Sequence, residues 1–314
     1  MNAVRAERGT DYGTSACSGP SSDMSSASVV IASRDRPDDL ARLLGSIRAQ
    51  TLQPREVIVV DDGSSPALPR LNGTWQIRSE RSEGACRARN RGIATATGKY
   101  VFIFDDDAEL RDPRLLERAV RAADSMPRLG ALAIRQLQPD GHVHWMQPGS
   151  GEEMRLVPSF LGYGALLVRE AVQAVGGFFE PLGYYYEENE LSLRLIDGHF
   201  EVAYDPQIGV IHHQNAAGRS ERLIHRLCWR NNMAVVVARY PAYIVPLELL
   251  RVTVRWIRLA QQWRHFMASD LGWGWASLMR QLPELLRRRD VVRMQTLLLV
   301  RHLARTLTTP TRIL

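Results

Sequence analysis

The sequence predicts an α/β protein: a doubly wound, mostly parallel sheet flanked by helices, with a helical appendage at the C-terminal end. Three observations carry that expectation. Short apolar, β-branched runs at 28–32, 56–60 and 100–104 each break off into polar or charged residues. Helix-spaced segments lie between them, and strands alternating with helices argue for a parallel sheet. Beyond residue 240 the composition changes to arginine-rich segments with apolar residues at helical spacing.

In chain order, residues 1–27 are rich in Ser, Gly and Thr and are expected to form a disordered tail. No apolar segment follows a basic start there, so no secretory signal is read. The first strand, 28–32, runs into Ser33-Arg34-Asp35-Arg36. Pro37, favoured in a first helical turn, then opens a helix bearing Leu40, Leu43, Leu44 and Ile47 at i, i+3, i+4 and i+7. The second strand, 56–60, ends in Asp61-Asp62-Gly63-Ser64, and a second helix is expected from Gly84 toward Thr97. The third, 100–104, ends in Asp105-Asp106-Asp107.

Three adjacent carboxylates raise one another's pKa, a cost that makes sense if a divalent cation and a polyphosphate arrive to neutralise them. Carboxylate oxygens are the hard ligands that Mg²⁺ or Mn²⁺ prefers. An acidic solvated turn is the plain alternative. In open α/β sheets ligands bind beyond the carboxyl ends of the strands. Both acidic clusters fall at that edge.

Composition bounds the class. The 314 residues contain 45% hydrophobic side chains, enough for a sizeable core, and allow one large domain with an appendage. Cys17, Cys86 and Cys228 have no disulfide or metal spacing, as expected in a reducing cytoplasm. The net charge of +6 is almost all arginine, Lys99 being the single lysine. No reader motif accompanies it, so nucleic acid is not an expected partner. No Gly-x-Gly-x-x-Gly follows the first strand and no Gly-x-x-x-x-Gly-Lys-Ser/Thr loop exists, which argues against nicotinamide and P-loop enzymes.

Several ordered segments resemble family 2 glycosyltransferases of the GT-A fold: Val29-Val-Ile-Ala-Ser33, Val59-Val-Asp-Asp-Gly-Ser64, Gly84-Ala-Cys-Arg-Ala-Arg-Asn90, Phe104-Asp-Asp-Asp107, Gly176-Gly-Phe-Phe-Glu180 and Tyr186-Glu-Glu-Asn-Glu-Leu191. The resemblance spans roughly residues 28–240, the expected catalytic domain. It implies transfer of a sugar from a nucleotide-diphosphate sugar to an acceptor hydroxyl, by direct displacement with inversion, aided by Mg²⁺ or Mn²⁺. It implies that Asp61, with Asp62 beside it, contacts the nucleoside, and that Ser33 and Gly84 line the nucleoside pocket. Asp62 is equally explained by a turn or a cap. Asp105 and Asp106 would reach the nucleotide sugar, and Asp107 would bind the cation with Asp105 in its shell. His212, at the end of a later strand, matches a third ligand; His213 must point to the opposite strand face. Glu188 matches the catalytic base, with Glu187 as the alternative; both also suit the positive end of a helix dipole. Glu188 and Glu190 stand where the family has aspartates. Arg89 and Asn90 belong to a partly structural motif and receive no chemical role. The stretch His142-Val-His144-Trp145 reads as an acceptor-contacting hairpin or a surface loop.

Other classes remain open on these residues: a nucleotidyltransferase, or a non-catalytic sugar-nucleotide binding protein. From Arg251 to Leu314 twelve arginines face Asp270, Glu284 and Asp290. Val252, Trp256, Leu259, Trp263 and Phe266 form one helix face there, and Trp273 and Trp275 follow. Such a region, 241–314, either packs on the catalytic domain or lies on an anionic membrane surface. It favours a lipid-linked or cell-surface glycan acceptor, with a small hydrophobic natural product as the alternative. No stretch is apolar enough to cross a bilayer, so a cytoplasmic protein, peripheral on the inner face of the cell membrane, is expected.

Overall fold

The computed structural model describes residues 26–214, 220–260 and 268–306. Most of the expected tail, with Cys17, and the stripe residues Trp263 and Phe266 lie outside the described residues.

The three apolar runs are strands, each slightly longer than expected: β1 (Ala27–Ser33), β2 (Glu56–Asp61) and β4 (Tyr100–Asp105), with a short β3 (Trp75–Arg78) between the last two. β1 pairs in parallel with β2 and with β4, and β3 pairs in parallel with β2. The register matches Ser33 with Asp61 and Ala32 with Asp105. The polar ends of these strands are therefore level along one edge of the sheet. Helix α1 (Pro37–Arg48) buries Leu40, Leu43, Leu44 and Ile47, as their spacing requires, and α2 (Ala85–Thr95) returns the chain to β4.

Past β4 come β5 (Ala108–Glu109), α3 (Leu115–Asp124), β6 (Leu129–Leu137), β7 (Arg155–Leu156), β8 (Gly164–Val168), α4 (Arg169–Ala174), α5 (Glu187–Asp197) and β9 (Glu201–His212). The strand order is β3-β2-β1-β4-β8-β6-β9-β5, with β7 on β9. The half from β3 to β4 is parallel. β8 runs antiparallel to both β4 and β6, so the whole sheet is mixed. β6 and β9 are parallel again, but Ile134 pairs with Asp205 while Arg135 pairs with Gly209, so residues 206–208 form a bulge in β9.

Two apolar cores cover the two faces. Phe102, Phe104, Leu132 and Leu166 meet α1 and α3 on one side. On the other, Ile103, Leu167 and Phe178 meet α2, α4 and α5, and this core runs on without a break through Trp229, Trp256, Leu278, Leu285 and Leu297. Those last residues belong to α6 (Glu221–Arg239), α7 (Val245–Ala260), α8 (Ala268–Arg287) and α9 (Met294–Arg305). The C-terminal helices are thus layered onto the sheet domain. A buried ion pair ties the layer down, Arg239 of α6 meeting Glu190 of α5 at 2.6 Å, and within the layer the half-exposed Arg222 of α6 meets the fully buried Asp270 of α8 at 2.9 Å. Among the described residues no helix is long and apolar enough to cross a membrane.

Candidate active site

The level strand ends create a cleft of about 860 Å³, lined on its polar side by Ser33, Asp62, Gly84, Arg89, Asp105 and Asp106. Its opposite wall is apolar and aromatic: Tyr184 and Tyr185, with Leu223, Ile224 and Leu227 of α6.

The three aspartates at the end of β4, Asp105 to Asp107, hold three sets of partners. Asp105 accepts a hydrogen bond from Arg89 Nη2 at 2.8 Å. Asp106 accepts from Ser33 Oγ at 2.8 Å and from Arg36 Nη1 at 3.2 Å. Burial nevertheless pushes the Asp106 carboxyl up to about 6, against the pull of Arg36 and Ser33. Asp107 is fully buried; Arg36 Nη1 stands 3.3 Å from one oxygen and His212 Nε2 3.1 Å from the other.

The sheet places His212 there. It pairs with Ala108 across the β5–β9 ladder, next to the aspartates. His213, one residue on, turns to the other face and meets Glu109 at 2.8 Å. One ligand atom each from Asp105, Asp107 and His212 lie within 4.8 Å of one another. Two carboxylates and an imidazole form a donor set that fits Mg²⁺ or Mn²⁺. Gln136 Nε2 lies 2.9 Å from His212 Nδ1, so the ring's other nitrogen is already engaged and its plane is held.

The two residues of the first acidic pair separate. Asp62 lines the cleft and accepts hydrogen bonds from Ser82 Oγ and from the backbone N–H groups of Glu83 and Gly84. It thereby fixes the entry to α2. Asp61 does not line the cleft; its carboxylate accepts from the N–H groups of Ser64 and Leu68 and pairs with Arg78. Burial raises its pKa, but these bonds outweigh it and hold the carboxyl below its ordinary value. Gly84 has φ +93, and a Cβ there would stand 3.1 Å from the Gly183 backbone, so glycine is needed on both counts.

Glu187 and Glu188 open α5, as the acidic run suggested. Glu187 is 1% exposed and accepts from Arg89 Nη1 at 2.7 Å. Arg89 thus joins Asp105 of the Asp105–Asp107–His212 cluster to the first turn of α5. Glu188 is half-buried. Burial first, and then the neighbouring Glu187 charge, push its carboxyl up to about 8. A Cβ at Gly162 would come within 2.4 Å of Glu188 Oε1 and 2.8 Å of Arg89 Nη2, so the absent side chain leaves the volume these two groups share.

The approach to α5 is strained. Gly183, Tyr185 and Tyr186 have φ of +71°, +70° and +71°, which non-glycine residues adopt at a cost. Asn231 of α6 holds the turn: its Nδ2 donates to the carbonyls of Leu182, Tyr184 and Tyr185 at 3.0, 2.8 and 2.6 Å. Gln136 and Asn231 were absent from the sequence reading, and Arg36, Arg89 and Gly162 were given no part in the site's chemistry. A buried arginine among acids has a chemical signature only once its neighbours are known.

Residues 28–174 match the family described as Glycosyl transferase family 2. The O-antigen biosynthesis protein RfbC of Myxococcus xanthus is 26% identical over 234 residues, covering 64% of this chain and 18% of that protein. The succinoglycan biosynthesis protein ExoO of Rhizobium meliloti (strain 1021) is 34% identical over 102 residues, covering 31% of this chain and 29% of that protein. The chain therefore spans less than a third of the length of these two relatives. Among solved structures, the S. aureus TarS fragment 1-349 superposes with a TM-score of 0.58 at 14% identity, covering 82% of this chain and 80% of that one. The mannosyltransferase PcManGT from Pyrobaculum calidifontis, solved with GDP-Man and Mn²⁺, gives a TM-score of 0.53 at 18% identity, covering 88% and 79%. The segment 28–174, from β1 through α4, matches glycosyl transferase family 2, and the described chain has the GT-A fold.

Proposed function

We propose that this protein is a metal-dependent, inverting glycosyltransferase that moves a sugar from a nucleoside diphosphate sugar to an acceptor hydroxyl. One observation carries the reading. The Asp105–Asp107–His212 cluster and the Glu187–Glu188 turn are joined through Arg89 beside a single cleft. GDP-Man in the mannosyltransferase structure and UDP in a TarS structure support a nucleotide donor.

Asp62, Ser33 and Gly84 take the nucleoside side of the cleft, and Asp106 stands between them and the cluster, with Asp61 bracing the wall behind. Asp105, Asp107 and His212 would hold the cation, whose charge, when bound, stabilises the departing diphosphate. Burial raises the Glu187 carboxyl too, against the pull of Arg89, and Glu187 is tied up by its direct hydrogen bond to that arginine, which leaves Glu188 as the carboxyl we assign to proton transfer. Glu188 accepts the proton of the acceptor hydroxyl as that oxygen attacks the anomeric carbon from the face opposite the leaving diphosphate. The configuration at that carbon inverts. The O-antigen and succinoglycan roles of the two relatives support a cell-surface glycan acceptor, lipid-linked and met at an anionic, inner membrane surface. The aromatic and leucine-lined wall of the cleft favours, as second reading, a small apolar acceptor.

The test is nucleotide release from a panel of nucleotide sugars, with Mn²⁺ or with chelator. Release of the nucleoside diphosphate with Mn²⁺ alone is expected. Glu188→Gln should lower turnover by about a hundredfold or more while sparing donor binding, in line with loss of a general base. Asp107→Asn should lose activity together with measurable Mn²⁺ binding. Pyrophosphate release would point to a nucleotidyltransferase, and donor binding without turnover to a non-catalytic protein.

A further inference from the structure

Of the apolar stripe that marked the C-terminal region in the sequence, Val252 and Trp256 are buried in the core shared with α6 and Leu259 is half-buried, while Trp263 and Phe266 lie outside the described residues. Helix α7 and the turn before it nonetheless carry a second apolar stripe on the outside. Tyr243, Leu247, Leu250 and Val254 are 77%, 48%, 60% and 38% exposed, at spacings of four, three and four residues. That spacing is one continuous helix face. A soluble surface rarely gathers large apolar side chains in this way without a partner.

The charge on this face selects the partner. Arg251 and Arg258 are exposed beside the stripe. The one acid between residues 243 and 260 is Glu248, which is 7% exposed and turned inward, where it meets Arg251 at 2.5 Å and Arg301 of α9 at 2.8 Å. Helix α8 repeats the arrangement, with exposed Trp275, Met279 and Leu286 and a fully buried Asp270. Glu248 and Asp270 are drawn into the protein while arginine and apolar groups remain outside; Glu284, near the end of α8, stays half-exposed and pairs with Arg287 and Arg288. A second copy of this face would bring arginine against arginine with no exposed acid on the stripe to answer it. An anionic lipid surface answers both features, accepting the apolar side chains below the headgroups and the guanidinium groups among the phosphates.

We propose that the outer face of α7, Tyr243 to Arg258, docks the protein flat onto an anionic bilayer. The proposal rests on the membrane-presented acceptor in the functional reading above, but its test does not require turnover. The full chain is floated with vesicles of phosphatidylcholine containing about 30% phosphatidylglycerol, and with phosphatidylcholine alone; a surface potential of this kind attracts each nearby arginine measurably. Flotation with the anionic vesicles and little with the neutral ones is expected. Leu247→Ser with Leu250→Ser should lower partitioning by about tenfold or more, since burial of apolar side chains carries this type of binding. Arg258→Gln should lower it by about fivefold. All three substitutions are on exposed positions, and an unchanged unfolding midpoint and far-UV spectrum would show that the fold is kept. The proposal is overturned if the wild-type protein stays at the bottom with anionic vesicles, or if the double variant floats as well as the wild type. It is also overturned if light scattering finds a dimer that the double variant converts to a monomer. Nucleotide release in solution by a protein that fails to float would leave the enzymatic reading standing and remove the docking face; flotation without donor binding would do the reverse.

Discussion

Glu188 is the residue to which the proposed mechanism assigns the proton transfer, and its environment makes a checkable statement about stability. Its folded pKa of about 8 lies above the ordinary carboxylate value of 4.5. The folded state therefore holds this proton more tightly than the unfolded chain does. The contribution is fully present below the unfolded value and is lost as pH rises toward and through 8. Glu188→Gln, which stays neutral, should match the wild type near pH 4 and become progressively the more stable protein between about pH 4.5 and about 8, the difference levelling off above that. Thermal unfolding across that range measures it, and parallel curves for the two proteins would contradict the buried, proton-holding environment. Gly162 offers a second test. With a Cβ 2.4 Å from Glu188 Oε1, Gly162→Ala must displace the carboxylate or the Arg89 guanidinium. A shift of about 1 Å at a reacting group costs on the order of a hundredfold in rate. A fall in kcat of that size is expected, with Gly162→Ser no better. The acids of this site were legible in the sequence because each follows its own strand or opens its own helix. Arg89 and Gly162 were not. Arg89 reaches Glu187 across 98 positions of sequence, and a glycine required for the space it leaves has no local mark.

At the level of elements, β1, β2, β4 and their helices could be read directly, since each apolar run is bounded by polar residues and each helix shows one apolar face. The antiparallel insertion of β8 between β4 and β6 could not, because nothing in a short apolar run encodes its partner's direction. The turn into α5 also escaped. Its positive φ values at Tyr185 and Tyr186 are maintained by Asn231, 46 residues beyond Tyr185. Asn231→Ala leaves three carbonyls without that donor. Loss of such buried bonds costs about 1–3 kcal/mol, and the turn should relax toward ordinary φ values. A lowered unfolding midpoint together with a disproportionate loss of kcat is expected. If kcat survives intact, the strained turn does not position Glu188.

For the whole molecule, the sheet and the C-terminal helices share one apolar core, although composition alone set residues 241–314 apart. Trp229, Met233 and Val236 of α6 are buried in the core that also holds Trp256, Leu285 and Leu297. Removing residues 241–314 would uncover this surface, and each large side chain exposed forfeits about 1.5–3 kcal/mol. The shortened chain is expected to precipitate or to lack a cooperative unfolding transition, as soluble yield and calorimetry would show; a well-folded 1–240 fragment would argue for a separable domain. The bulge at 206–208 has a consequence of another kind. Strand parity downstream of it decides which of two adjacent imidazoles meets Asp107 and which meets Glu109. Deleting one residue within 206–208 would keep every ligand in the chain, yet swap their sides if the strand carried the slip through to its end. The count of residues in that kink, as much as the identity of any histidine, writes the address at which His212 arrives.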